Sequence, residues 1–250
     1  MRLKDKVAIV TGGGRDIGRA VSLRLAAEGA KVVVNFRTDE AAARATVADI
    51  EAAGGVAVLH RADVTQSTEV EGLVAATRAA FGDRIDILAN LAGGMVARKP
   101  LDEMDEAFFD AVMALNLKSA LLVTRAARPF MSRGGSIINV SSLAGRDGGG
   151  PGAIAYATSK GALMTLTRAL AKELGPHGIR VNGLCPGLIG TSFHDIFSKP
   201  ETRQTIAAGT PLRREGRAEE VAAALAFLAS EDASFVAGAN LDVNGGLHFS

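Results

Sequence analysis

The opening of this chain restricts its fold more than any other stretch. The apolar run Val7-Ala8-Ile9-Val10 passes directly into Thr11-Gly12-Gly13-Gly14. Helical spacing of apolar residues follows through Ile17, Val21, Leu25 and Ala26, until Gly29 stops it. Val32-Val33-Val34 then begins a second apolar run. Strand, glycine turn, helix and strand within about 30 residues make a crossover unit, and strands joined by a crossover lie parallel.

The same alternation continues along the chain. Apolar runs predict strands at 56–59, 85–89, 136–140, 179–181 and 240–243. Helical spacing predicts helices over 39–53, 68–81, 102–117, 119–131, 154–174 and 218–228. Strands that are apolar throughout are buried on both faces. The expected fold class is therefore α/β, a doubly wound, mostly parallel Rossmann-type sheet with helices on both faces. Ligands in such folds sit beyond the carboxyl ends of the strands. No linker of distinct composition interrupts the pattern, so residues 1–250 are expected to form one domain.

Composition removes several classes of function. A net charge of +1 with both signs dispersed leaves no basic footprint for nucleic acid. The single Cys185 excludes an intramolecular disulfide, and His60, His177, His194 and His248 lack metal-ligand spacing. No metal site is expected. The N-terminal Met1-Arg2-Leu3-Lys4-Asp5-Lys6 is too charged for a signal segment, and no run is expected to span a membrane. The expected location is the cytoplasm.

Chemistry enters with Tyr156 and Lys160, which are four residues apart and so share one helix face. A free phenol titrates near pH 10, and an adjacent cation favours its ionised form. Lowering it by ~2–3 units requires ~3–4 kcal/mol of differential stabilisation. Taken alone, such a pair most often decorates an exposed helix. Glycines placed between a strand and a helix add a second signal, because they let backbone approach a pyrophosphate at the helix N-terminus.

Together these motifs resemble the short-chain dehydrogenase/reductase family. Its turn, Thr-Gly-x-x-x-Gly-Ile-Gly, matches Thr11-Gly12-Gly13-Gly14-Arg15-Asp16-Ile17-Gly18, except that Asp16 replaces the middle glycine. Asp tolerates unusual backbone conformations and makes a good helix N-cap, but its carboxylate would repel a pyrophosphate. Cofactor binding is expected to be retained, at most weakened. NAD-selective relatives carry an acid at the end of the second strand, where this chain has Phe36 followed by Arg37. Arg15 and Arg37 together would clasp a 2′-phosphate, which favours NADP(H) over NAD(H). The resemblance assigns further cofactor contacts to Gly12, Gly14, Asp16, Ile17, Asp63, Val64, Asn90, Ala92, Gly93, Pro186, Gly187, Ile189 and Thr191, with Tyr156 and Lys160 shared. Leu91 stands where the family has a second asparagine. Asp63 would equally serve to cap the next helix.

By the same resemblance the catalytic set is Ser142, Tyr156, Lys160 and Asn116, with Ser141 the alternative serine. Tyr156 would protonate a carbonyl oxygen that Ser142 orients. Lys160 would lower the tyrosine pKa and hold the nicotinamide ribose, and Asn116 would hold a water in a proton relay. The chain is similar to 3-oxoacyl-(acyl-carrier-protein) reductases, although sugar, polyol and steroid dehydrogenases share many of its phrases. Oxidation of a secondary alcohol is the same chemistry reversed. A nucleotide-sensing protein that has lost turnover is the alternative of another class. A small carbonyl or alcohol substrate should meet the weakly patterned segments 95–100, 146–154 and 193–209, and the substrate segment is set at about 193–215. Relatives are homodimers or homotetramers, and the same is expected here.

Overall fold

The computed structural model describes residues 1–249. The first half of the chain runs β1 (Val7–Thr11), α1 (Asp16–Ala27), β2 (Lys31–Phe36), α2 (Glu40–Ala52), β3 (Val56–Arg61), α3 (Ser67–Phe81) and β4 (Ile87–Asn90). It continues with α4 (Glu106–Met113), a π-helical turn (Ala114–Lys118), α5 (Ser119–Ala127), β5 (Ser136–Val140), α6 (Ala144–Asp147) and α7 (Ile154–Leu174). The last third holds β6 (Arg180–Pro186), α8 (Ser192–Phe197), α9 (Pro200–Gly209), α10 (Ala218–Ala229) and β7 (Asn240–Val243).

The strands form one seven-stranded sheet in the order β3-β2-β1-β4-β5-β6-β7, parallel throughout. The reason is visible along each strand, where successive side chains enter opposite layers. Ala8 and Val10 of β1 join one core cluster and Ile9 the other; Val32 and Val34 of β2 part from Val33 in the same way. The first cluster is closed by α1, α2 and α10, and the second by α3, α5 and α7. Each fully buried Val, Leu or Ile contributes about 1.5–3 kcal/mol. The doubly wound α/β expectation holds.

Several stretches depart from their expected outlines, among them the strand expected at 179–181, which runs Arg180–Pro186. The helix expected over 102–117 starts with a short 3-10 turn, Leu101–Glu103, and α4 begins only at Glu106, behind Asp105. Asp105 caps α4 by accepting from the Phe108 N–H at 2.7 Å. The π-helical turn then carries the chain into α5, and the weakly patterned segment after β6 folds into α8 and α9.

No run was expected to reach a membrane-spanning length, and here the structure corrects the sequence. The continuous helical stretch Glu106–Phe130, whose most apolar window has mean hydropathy 1.4, is long and apolar enough to cross a membrane. Its position explains that composition: α5 packs against α3, the π turn packs against α7, and Val112, Leu122 and Val123 are buried in the core.

Candidate active site

The first two turns of α7 place Tyr156 and Lys160 beside the carboxyl end of β5. Lys160 Nζ lies 5.8 Å from the centroid of the Tyr156 ring and donates to the Val140 carbonyl at 2.8 Å. Burial pushes the Lys160 ammonium down to about 8, against an ordinary value of 10.5, with Cys185 pulling weakly the other way. Burial pushes the Tyr156 phenol upward, and a hydrogen bond with the Ser142 side chain opposes it. The phenol was expected to be depressed by Lys160. In this structure desolvation outweighs the Ser142 contact, so the phenol moves up rather than down.

The two serines that end β5 part ways. Ser141 is buried and its hydroxyl donates to the Lys160 carbonyl at 2.7 Å, which fixes β5 to α7. Ser142 is half-buried and turns toward the phenol. Both are held against β6, because the Ser141 N–H donates to the Leu184 carbonyl and the Leu143 N–H to that of Pro186. The geometry thus favours Ser142 over Ser141 as the partner of Tyr156.

Asn116 sits inside the π-helical turn and is 1% exposed. Its amide donates to the carbonyls of Val112 and Gly94, each at 2.9 Å, and its Oδ1 accepts from the Gly94 N–H at 2.9 Å. Taking the Val112 carbonyl with a side chain relaxes the ordinary backbone pattern, and π turns of this kind recur at functional sites. A Cβ on Gly93 would stand 2.7 Å from Asn116 Oδ1 and 3.1 Å from Lys160 Nζ. Glycine there lets backbone, asparagine and lysine converge.

The glycine turn fits a dinucleotide by its shape. Gly12 has φ +65°, and a Cβ on Gly18 would meet the Gly12 carbonyl oxygen at 2.0 Å. On Gly14 it would lie 2.9 Å from the Ala43 backbone. Arg15, the N-cap of α1, makes no side-chain capping bond, so backbone N–H groups of the first turn are open to an anion. Ile17 packs on the core below. The Thr11 hydroxyl accepts from the N–H groups of Leu91 (3.0 Å) and Ala92 (3.1 Å), which ties the β4 exit to this turn. Leu91 itself packs against the core. Asn90 donates to Asn139 at 2.8 Å while its own Oδ1 is buried without a partner.

Asp16 is not the cap of α1 but its first residue, in left-handed backbone at φ +49°. Its carboxylate accepts the Ser192 N–H at 2.9 Å and the Ser192 hydroxyl at 2.5 Å, across the cleft. Phe36 is buried in the core, and exposed Arg37 faces Asp63 at 3.7 Å. Asp63 does not cap α3, whose N-cap is Gln66; it accepts from the Thr65 N–H and hydroxyl in a local turn. Val64 is buried in the second core cluster. A Cβ on Gly187 would stand 2.7 Å from Asn244, which fixes the turn after Pro186 against β7. Ile189 is buried and bridges to Gly216, and Thr191 leads into α8.

Several groups had no signal in the sequence. The Val140 carbonyl, Gly94 and Ser192 act through contacts between distant segments. Phe193 has its ring centroid 5.7 Å from that of Tyr156 and 5.0 Å from that of Phe197, which makes an aromatic wall beside the phenol. It opens the segment 193–215 expected to meet substrate, but no periodicity singles out Phe193 itself. Cys185 is fully buried, and burial pushes its thiol up to about 11, as suits a packed residue rather than a nucleophile.

A family model described as Enoyl-(Acyl carrier protein) reductase matches residues 12–248. The (3R)-3-hydroxyacyl-CoA dehydrogenase of Mus musculus is 40% identical over 257 residues, covering 99% of this chain and 98% of that protein. The 3-oxoacyl-[acyl-carrier-protein] reductase of Synechocystis is 38% identical over 252 residues, covering 98% of each. A short chain dehydrogenase from Burkholderia cenocepacia, solved in complex with NADP, superposes with a TM-score of 0.92 at 34% identity, over 98% of this chain and 99% of that one.

Proposed function

The chain belongs to the short-chain dehydrogenase/reductase family, and we propose that it is an NADPH-dependent carbonyl reductase of 3-oxoacyl type. Its class is that of oxidoreductases acting on CH–OH or C=O groups. The proposal takes residues 1–250 as one domain that receives its substrate at the segment about 193–215. One observation carries it: at the carboxyl end of β5, half-buried Ser142 faces the Tyr156 phenol while the buried ammonium of Lys160 lies 5.8 Å from the Tyr156 ring centroid. A protonated phenol is the form that a general acid needs.

The nicotinamide, when bound, supplies hydride to the carbonyl carbon. Tyr156 gives its proton to the oxygen as negative charge grows there, so C=O becomes CH–OH. Ser142 donates a hydrogen bond to the same oxygen and stabilises that charge. Lys160 holds the nicotinamide ribose and favours the phenolate left behind. Asn116 orients the water through which the phenol regains its proton. The turn from Gly12 to Ile17 would hold the pyrophosphate, and Asn90, Ala92, Gly93, Pro186, Gly187, Ile189 and Thr191 would hold the nicotinamide side. Arg15 and Arg37 would hold a 2′-phosphate, where Phe36 offers no competing acid, and Asp63 and Val64 would line the adenine side.

Support for the substrate class comes from the two acyl-group relatives, and support for NADP(H) from the Burkholderia complex. A homodimer or homotetramer fits the apolar side chains left exposed around the edge strand β7, namely Phe235, Leu241 and Phe249. A cytoplasmic location fits the single free thiol. Following NADPH consumption over a panel of 3-oxoacyl thioesters, cyclic ketones and keto-sugars tests the proposal. Turnover of the thioesters supports it. Tight NADPH binding without consumption by any carbonyl would overturn it in favour of a nucleotide-sensing protein.

A further inference from the structure

The residue that departs from the family's glycine turn makes the longest-range pair of hydrogen bonds near the site. Asp16 lies 176 positions from Ser192 in the chain, yet takes both its N–H and its hydroxyl, at 2.9 and 2.5 Å. Arg15 is more distant from the same carboxylate, at 3.9 Å. An L-residue at φ +49° is held there against its own preference. Ser192 opens α8, which has only six residues, and Thr191 before it offers no side-chain cap. So short a helix does not hold itself. The Asp16 carboxylate supplies the missing cap from the other wall of the cleft. The next residue is Phe193, whose ring stands beside Tyr156, with Phe197 and His194 against its other sides at 5.0 and 5.1 Å.

We infer that Asp16 is a positioning residue: by clasping Ser192 it fastens the start of α8 to the glycine turn and so sets Phe193 beside Tyr156. This rests on the reading of Tyr156 as the acid. The clasp couples two duties that the sequence keeps apart. The turn that cradles the dinucleotide also fixes the aromatic wall against which the substrate's carbonyl arm lies. That wall offers a flat apolar face, so the arm next to the carbonyl is apolar.

Two substitutions break the clasp from opposite ends. Asp16→Gly removes the acceptor and suits the left-handed backbone. Ser192→Pro removes both donors at a first helical position that accepts proline, after a Thr191 already extended at φ −150°. Amide hydrogen exchange over 192–197, measured without cofactor, should speed up by about tenfold or more in each, since bonds to a charged acceptor are lost. With NADPH saturating, Ser192→Pro, which lies outside the glycine turn, should raise KM for an apolar-flanked ketone about tenfold while kcat changes by less than about threefold, and Asp16→Gly should raise KM to the same extent. The double variant should be no worse than either single one, and Asp16→Asn, which can keep both contacts, should restore KM and protection. Wild-type exchange and KM in both single variants, or fully additive effects in the double, would overturn the inference. If no carbonyl is reduced even by the wild type, the functional reading fails, and the exchange measurement alone decides the clasp.

Discussion

Lys160 donates to the carbonyl oxygen of Val140 at 2.8 Å, which anchors its ammonium at the end of β5, behind the Tyr156 ring. The enclosure that anchors it also lowers its pKa to about 8. The phenol, moved upward by burial, remains protonated through that range. With reduction dependent on the lysine charge, kcat/KM for a carbonyl should fall as pH rises through about 8. Initial rates against pH at fixed, low substrate report this ionisation of the free enzyme. A profile that stays flat well above that value would remove Lys160 from its role.

The same burial makes a stability prediction. The folded value of Lys160 lies below the unfolded one, so between about 8 and 10.5 the unfolded chain binds more protons and stability rises with pH. Below about 8 the full penalty applies, on the order of 3 kcal/mol before the bond to Val140 is counted. Lys160→Met should therefore stabilise the protein by about 1–2 kcal/mol at neutral pH while abolishing turnover. Urea denaturation at neutral pH and above the unfolded lysine pKa checks both parts. The gain should vanish at the higher pH, and a variant less stable than wild type at neutrality would contradict it.

Tyr156 and the two serines separate chemistry from architecture. Tyr156→Phe removes the proton and keeps the ring against Phe193, so kcat should fall by about a thousandfold or more with cofactor affinity nearly unchanged. Ser142→Ala should cost about a hundredfold in kcat. Ser141→Ala should act on stability instead, by about 1 kcal/mol, since its hydroxyl ties β5 to α7 through the Lys160 carbonyl. Single-turnover rates and thermal melts of the three variants distinguish the two kinds of loss.

Much of this arrangement was legible because it is local. Apolar runs such as Val32-Val33-Val34 are buried on both faces and announce a central parallel strand, and Tyr156 and Lys160 reveal their shared face by spacing alone. What escaped depends on residues far apart in the chain. The π turn around Asn116 exists because its side chain takes the Val112 carbonyl and both backbone groups of Gly94, which no pattern within 102–131 encodes. The bond from Ser192 to Asp16 and the packing of Phe193 beside Tyr156 are likewise products of the crossover topology. Even the sign of the tyrosine shift needed the fold, because proximity to a lysine is readable in sequence and desolvation is not.

The proposed preference for NADP(H) rests on Arg37 more than on Phe36, because only the Arg37 side chain is exposed. Phe36 is buried in the core at the end of β2, whereas Arg37 is exposed and faces Asp63 at a loose 3.7 Å. A pair so exposed and so distant contributes little to stability, so Arg37 is free to turn to a phosphate. Arg37→Ala should weaken NADPH binding about tenfold and leave NADH unchanged, since each charge-assisted contact is worth about 1.5–3 kcal/mol in a protected setting and less here. Phe36→Asp, the change that the family pattern suggests for switching to NADH, should fail instead by burying a carboxylate in the first core cluster, at a cost of several kcal/mol. Arg37→Asp places the acid one position later, on the exposed side, and should raise the NADH preference without loss of stability. Fluorescence titrations of both nucleotides against all three variants, with melting temperatures alongside, test the assignment. A Phe36→Asp protein that folds normally and prefers NADH would show that the end of β2 is not locked into the core.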